Sequence, residues 1–340
     1  MTGKPKIIRT DANMEAPRLD AALRERGELL LLPDGVSEGE LARATRDADL
    51  LLMCYTPVTA RVINAAAKLK GIVKYGVGID AIDIDAARAR GIPVVNVPDY
   101  AEETVAEGAF ALMLALAKKL RPLQKAMDRD GWVWPSGDWL AGDLSGKTLG
   151  LVGLGRIGRA MARMAGRGFN MRVLACSPHT GARGMSALGV EKREDLHDML
   201  GDADFVSIHA VLNDGTRHLI GAPALRAMKR ESFLINVARG AIVDEAALVE
   251  TLLSGGIAGA ALDVYSREPL AKEGHPMSAL FELDNVILTP HLTFFTAEAM
   301  ARLEDDTLAR CREILEGRPV LVKSSDPRLT GQSDGVVFAD

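Results

Sequence analysis

The sequence predicts an α/β protein built on parallel sheets. Three observations carry that expectation. Short apolar runs alternate with polar helical segments along most of the chain, a glycine-rich turn joins one such run to a helix, and 340 residues suffice for two cores. Hydrophobic residues make up 48% and charged ones 26%, which is ordinary for a globular chain. The formal net charge of −5 leaves no basic footprint, and no stripe of Lys or Arg interleaved with aromatics appears, so a nucleic-acid partner is not expected. The longest strongly apolar run, "AFALMLALA" from Ala109, is about half a membrane span. "MTGKPKIIRT" lacks the apolar core and cleavage site of a signal peptide. Cys54, Cys176 and Cys311 are too few and too scattered for a disulfide framework or a zinc site. The expectation is a reduced, cytoplasmic protein with no metal and no membrane partner.

In the first hundred residues "KIIR", "ELLLL", "DLLLMC", "GIVKYG" and "IPVVNV" read as strands. Between them lie helical patterns such as "MEAPRLDAALRERG" and "IDIDAARARG", each ending in the glycine expected just past a helix. Asp99 with Glu102 three residues on reads as a capping box opening a helix through about Leu120. "RDGWVWPSGDWLAGDLSG" reads as an ordered loop. From Lys147 the alternation resumes with strands near "TLGLVG", "MRVLAC", "DFVSIH", "SFLINV", "IAGAALDV" and "NVILTP". A last helix runs from about Thr296 to Glu316, with Gly317 placed to stop it, and the polar tail from Ser324 shows no periodicity.

"TLGLVGLGRIGRAMARMA" holds Gly153-x-Gly155-x-x-Gly158 between an apolar strand and a helix, the context that turns a weak motif into a dinucleotide loop. Gly153 permits the tight turn and Gly155 lets the backbone approach a pyrophosphate. Gly158 lets the helix pack on the strand, and the helix N-terminus offers free N–H groups. Six strands with this loop are the Rossmann arrangement. Ser177 stands nineteen residues after Gly158, where a carboxylate would hold the adenosine ribose. A serine does not repel a 2′-phosphate, and His179 or Arg183 could support one, so NAD and NADP both stay open.

"LINVARGAIVDE" sets an arginine between two apolar runs, where a guanidinium needs an anion to meet. Arg239 there, Glu268 in "LDVYSREPL" and His291 in "LTPHLTFF" stand at the ends of later strands, where the crevice of an open α/β sheet lies. Singly they read as a surface charge, a loop acid and a turn residue. Together, behind a dinucleotide loop, they read as a catalytic set.

On these stretches, and on "KYGVGIDAIDIDAARARGIPVVNVPDY", the chain resembles the D-isomer-specific 2-hydroxyacid dehydrogenase family over nearly its whole length. The resemblance implies a Rossmann domain over 99–292 and a flavodoxin-like parallel α/β substrate domain made of 1–98 and 293–340. It implies Arg239, Glu268 and His291 as catalytic groups. Cofactor contacts fall on Gly153, Gly155, Arg156, Ile157, Gly158, Ser177, Ala210, Val211 and Thr216, with Thr104, Val237, Ala238 and Asp263 as further ones. The substrate-carboxylate loop falls on Val77 and Gly78, and a homodimer through the cofactor domain is implied. Trp132, Trp134 and Trp139 are expected to pack at the domain junction and dimer.

The chemistry agrees. Reducing a 2-keto acid needs a hydride at the carbonyl carbon and a proton at its oxygen. A planar guanidinium can clamp the carboxylate and polarise the keto oxygen. An imidazole titrates near neutrality, and a carboxylate bonded to it keeps it charged. Glu268 argues against the formate dehydrogenase branch, which pairs the histidine with Gln, and Val77 against the phosphite dehydrogenases, which carry Lys there. "MCYTPVT" lacks the arginines that phosphoglycerate dehydrogenases use for a phosphate, although Arg61 lies nearby, and no regulatory-domain pattern follows the last helix. The expected substrate is therefore a non-phosphorylated 2-keto or 2-hydroxy acid. Its tail would meet Cys54, Tyr55 and Phe294 or Phe295, the two phenylalanines reading equally well as core. A similarity to the C-terminal binding protein corepressors leaves a dinucleotide-sensing binding protein as the alternative.

Overall fold

The computed structural model describes residues 3–332 and 334–339. The chain divides into two compact units, Met1–Ala101 with Thr296–Asp340, and Glu102–Phe295. The first unit opens with β1 (Lys6–Arg9), α1 (Pro17–Arg26), β2 (Glu28–Leu31), α2 (Glu38–Ala44) and β3 (Leu50–Met53). It continues with α3 (Ala60–Ala65), β4 (Ile72–Lys74), α4 (Ile84–Ala89) and β5 (Val94–Val95). The strands lie in the order β2-β1-β3-β4-β5, all parallel, which is the flavodoxin-like order. Helices on both faces explain the unbroken apolar runs: all four residues of β3 are buried. Gly91 has the left-handed φ of +63° expected after α4, but Gly27 after α1 is extended. Its glycine identity comes instead from the Pro5 carbonyl, which a side chain there would strike.

The second unit holds α5 (Glu102–Ala117), α6 (Leu120–Asp130), β6 (Thr148–Val152), α7 (Arg156–Arg163), β7 (Arg172–Cys176) and α8 (Ala182–Ala187). Next come β8 (Glu191–Lys192), α9 (Leu196–Asp202), β9 (Phe205–Ile208), α10 (Ala222–Ala227) and β10 (Phe233–Asn236). It closes with α11 (Glu245–Leu253), β11 (Gly259–Leu262) and β12 (Val286–Leu288). Its sheet runs β12-β11-β10-β9-β6-β7-β8, all parallel, so the order reverses beside β6, where the glycine loop leaves. A seventh strand, β8, joins the six read from the sequence; two residues are too few to show a pattern. The helix placed at Asp99 begins at Glu102 instead, and the Asp99 carboxylate lies 3.6 Å from the Lys323 ammonium. Lys119, at φ +51°, breaks the path between α5 and α6. Between α6 and β6 the chain is irregular apart from a short turn at Gly137–Trp139. Within this unit Trp132 and Trp134 are exposed and meet edge-on, centroids 6.1 Å apart.

The chain then returns to the first unit with α12 (Ala297–Leu315), capped by the Thr296 hydroxyl and stopped at Gly317, φ +71°. The tail has more structure than its composition suggested: β13 (Val320–Val322), α13 (Pro327–Thr330) and β14 (Val336–Phe338), with β13 and β14 paired in parallel. Buried Gln332 accepts from the Val94 amide at 2.7 Å and donates to the Val94 carbonyl at 2.9 Å. Among the described residues no helix is long and apolar enough to cross a membrane.

Candidate active site

The glycine loop packs as its spacing demands. Gly153 has φ +94°, and a Cβ there would come within 2.9 Å of the His209 carbonyl. A Cβ on Gly158 would lie 2.6 Å from the Gly153 carbonyl oxygen. Backbone bonds from Gly153 N to Cys176 O and from His209 N to Val152 O, 2.9 and 2.8 Å, seat the loop against β7 and β9. α7 starts at Gly155 with no capping side chain, and a Cβ on Gly155 would meet nothing within 4 Å. An uncapped helix start behind an open glycine suits a pyrophosphate. The residues present thus fit a dinucleotide.

Around this loop, Ser177 is buried at the end of β7, while His179 and Arg183 are exposed. Among the described residues no carboxylate pairs with Arg183. Arg156 pairs with Glu102 at 3.0 Å. Ala210 and exposed Val211 lead into a turn closed by Thr216, whose hydroxyl donates to Val211 O at 2.7 Å and accepts from Asn213 N at 2.8 Å. Val237 and Thr104 are buried and Ala238 is half-buried.

Adjacent strands β10, β11 and β12 deliver the three charged groups from their carboxyl ends. Asn236, the last residue of β10, shapes the Arg239 loop: its oxygen accepts from Ala238 N and its amide donates to Arg239 O, each 3.0 Å. Gly240 then presses on the Glu268 loop so closely that a Cβ would lie 2.0 Å from the Tyr265 carbonyl carbon. His291 Nδ1 meets Glu268 Oε2 at 3.0 Å, and Glu268 Oε1 accepts from Tyr265 N at 3.0 Å. A carboxylate only accepts, so Nδ1 carries the hydrogen. Burial pushes the Glu268 carboxyl upward, but the His291 bond and charge, the Tyr265 amide and the Arg239 charge outweigh it and hold the pKa below the usual value. Glu268 therefore feels both His291 and Arg239 at one end of one sheet.

His291 itself has a left-handed backbone, φ +57°. What holds it there is Asp263, fully buried at the end of β11. Its Oδ1 accepts from Thr289 Oγ1 at 2.6 Å and Leu292 N at 3.0 Å. Its Oδ2 accepts from Thr293 Oγ1 at 2.7 Å and Thr293 N at 3.0 Å. The resemblance gave Asp263 only a cofactor contact; its part in forming this turn went unread. Phe294 is buried with its ring edge-on to His291, centroids 6.2 Å apart, and Phe295 is exposed.

In the first unit, Asp11 gathers the segment that carries Cys54 and Tyr55. Buried, with φ +58°, it accepts from the amides of Cys54, Tyr55 and Thr56 and from the hydroxyls of Thr10 and Thr56. Burial raises its pKa, but these bonds prevail and lower it. Cys54 is buried and Tyr55 exposed, with the Lys74 ammonium 5.4 Å from the Tyr55 ring centroid. Val77 is exposed and Gly78 half-buried on the loop after β4. Arg61 pairs with Glu38 at 3.1 Å.

A family profile described as D-isomer specific 2-hydroxyacid dehydrogenase, NAD binding domain, matches residues 110–293. A glyoxylate reductase of Korarchaeum cryptofilum is 39% identical over 308 residues, spanning 89% of this chain and 90% of that one. The chain belongs to the D-isomer specific 2-hydroxyacid dehydrogenase family. Its NAD-binding domain is the α/β unit that carries the glycine loop. A D-3-phosphoglycerate dehydrogenase of Methanocaldococcus jannaschii is 38% identical over 87% of this chain, which spans only 55% of that protein's length. Among solved structures, an NADPH-dependent glyoxylate/hydroxypyruvate reductase of Sinorhizobium meliloti in complex with NADP and malonate superposes with a TM-score of 0.82 at 28% identity, covering 97% of this chain and 99% of that one.

Proposed function

We propose that this chain interconverts a non-phosphorylated 2-keto acid and the D-2-hydroxy acid, in the manner of a glyoxylate or hydroxypyruvate reductase. The observation that carries the reading is the Glu268–His291 pair, bonded at 3.0 Å on the same sheet end as Arg239. A bound nicotinamide would supply or take up the hydride. Arg239 clamps the substrate carboxylate and polarises the keto oxygen, and the amides of Val77 and Gly78 hold the carboxylate. His291, its Nδ1 held by Glu268, exchanges the proton at Nε2, as acid in reduction and base in oxidation. Glu268 keeps the imidazole oriented through its bond to Nδ1. The glycine loop with Arg156 and Ile157 seats the pyrophosphate, and Ser177 meets the adenosine ribose. Ala210, Val211, Thr216, Thr104, Val237, Ala238 and Asp263 line the rest of the cofactor. Cys54 and Tyr55 face the substrate tail. Exposed Trp132 and Trp134 support a homodimer through the cofactor unit, and three free cysteines suit the cytoplasm.

The test follows NADH and NADPH absorbance against a panel of 2-keto acids that includes glyoxylate, hydroxypyruvate, pyruvate and longer chains. Turnover is the expected result. Tight cofactor binding with no turnover on any acid would replace the enzyme with a dinucleotide-sensing binding protein.

A further inference from the structure

Two amides can hold a carboxylate only if something aims them. We propose that Asn96 is the positioning residue for the Val77 and Gly78 amides; this rests on the assignment of those amides to the substrate carboxylate. Asn96 directly follows β5, is 3% exposed, and donates from Nδ2 to the Val77 carbonyl at 2.6 Å. A carbonyl oxygen only accepts, so the side-chain amide must present its NH2 here. That orientation leaves Asn96 Oδ1 buried with no hydrogen-bond partner. An apolar residue would avoid that cost, and the bond to Val77 is what the amide provides in return.

The consequence follows from peptide geometry. In a trans peptide the carbonyl and the next N–H point in opposite directions. With the Val77 carbonyl turned toward Asn96, the Gly78 N–H points away from it. The neighbouring peptide does the same: Val97 N donates to Gly76 O at 2.9 Å, which turns the Val77 N–H outward too. Two successive N–H groups thus emerge on the side away from residues 96–97, and among the described residues neither donates to a protein acceptor. Successive outward amides form a concavity for an anion. Behind it, the Lys74 ammonium donates to the carbonyls of Cys54 and Tyr75 and lies 3.4 Å from where a Cβ on Gly76 would be, adding positive potential under the loop.

N96D keeps the shape and removes the donor, setting a carboxylate against the Val77 carbonyl. KM for the 2-keto acid should rise about 10- to 100-fold, the loss from misaiming a hydrogen bond to a charged group. The dissociation constant for NADH should stay within about three-fold and kcat should change far less than KM. Measured against wild type at each pH, the KM gap should narrow on acidification, because the introduced carboxyl regains a proton to donate; a merely structural defect has no reason to reverse. A second measurement needs no variant: oxamate titrated into the 15N-labelled protein with NADH should shift the Val77 and Gly78 amide resonances. An unchanged KM in N96D, or oxamate binding that leaves those resonances in place, overturns the proposal. Shifted resonances in a protein that turns over no 2-keto acid would uphold Asn96 and sink the catalytic reading instead.

Discussion

Replacing Asp263 with Asn tests how the imidazole is held. The carboxylate accepts four hydrogen bonds from 289–293, two of them from the backbone amides of Leu292 and Thr293. D263N turns one acceptor oxygen into a donor. The threonine hydroxyls can rotate to accept from it, but one backbone N–H is left facing an NH2 group. A buried donor without a partner costs about 1–3 kcal/mol. The left-handed backbone of His291, which costs a further 1 kcal/mol or so, then loses part of what enforces it. The unit that carries this turn spans Glu102–Phe295, and at that size each kcal/mol moves Tm by about 2–4 °C. The expected loss is about 2–10 °C by differential scanning fluorimetry. A shift of the imidazole by about 1 Å lowers turnover by up to about 100-fold, so kcat for NADH-dependent reduction should fall about 10- to 100-fold. A variant within 1 °C of wild type in Tm and within about two-fold in kcat would show that Asp263 does not hold the turn.

Three other substitutions follow from the same geometry. R239A should cut kcat/KM for the 2-keto acid by about 100-fold or more, since truncating one partner of a charged clamp costs about 2–5 kcal/mol; steady-state kinetics near wild type would remove Arg239 from the site. S177D should shift the kcat/KM ratio against NADPH by about ten-fold or more through repulsion of the 2′-phosphate, and an unchanged ratio would mean the 2′ group is read elsewhere. His209 has Nδ1 sealed from water and Nε2 against Ser207 Oγ at 2.9 Å, and burial lowers its pKa to about 4. Because the unfolded chain takes up this proton near pH 6.5, stability is intact above that pH and declines toward pH 4, by up to about 3 kcal/mol. H209Q should flatten that part of the Tm–pH curve; a slope equal to wild type would show that His209 does not report the burial.

The central strands were legible because both faces of the sheet are covered there, which writes them as apolar runs: β3 and β6 are buried throughout. The glycine loop was legible because its three glycines recur at fixed spacing, two at close approaches and one left open, and the charged groups because each follows such a run. The braces were not. Asp11 binds amides more than forty residues away, Asp263 a turn 26 to 30 residues on, and Asn96 a carbonyl 19 residues back. Such bonds join neighbours in the sheet rather than in the sequence, so they leave no period to read. β8 is two residues long, and the tail is tied down by single long-range contacts such as Gln332 to Val94 and Arg328 to Asp80, which show no pattern.

Gln332 also has a protective consequence. β5 is the outermost strand of its sheet, and an unsatisfied outer strand invites a strand of another molecule to add to it. By bonding both the amide and the carbonyl of Val94, one glutamine side chain imitates the residue of a neighbouring strand and fills the place a stranger would take. Shortening the chain before Ser324 would therefore unmask an adhesive edge, and the damage would surface first as clumping in concentrated solution, while each molecule still in solution kept its chemistry.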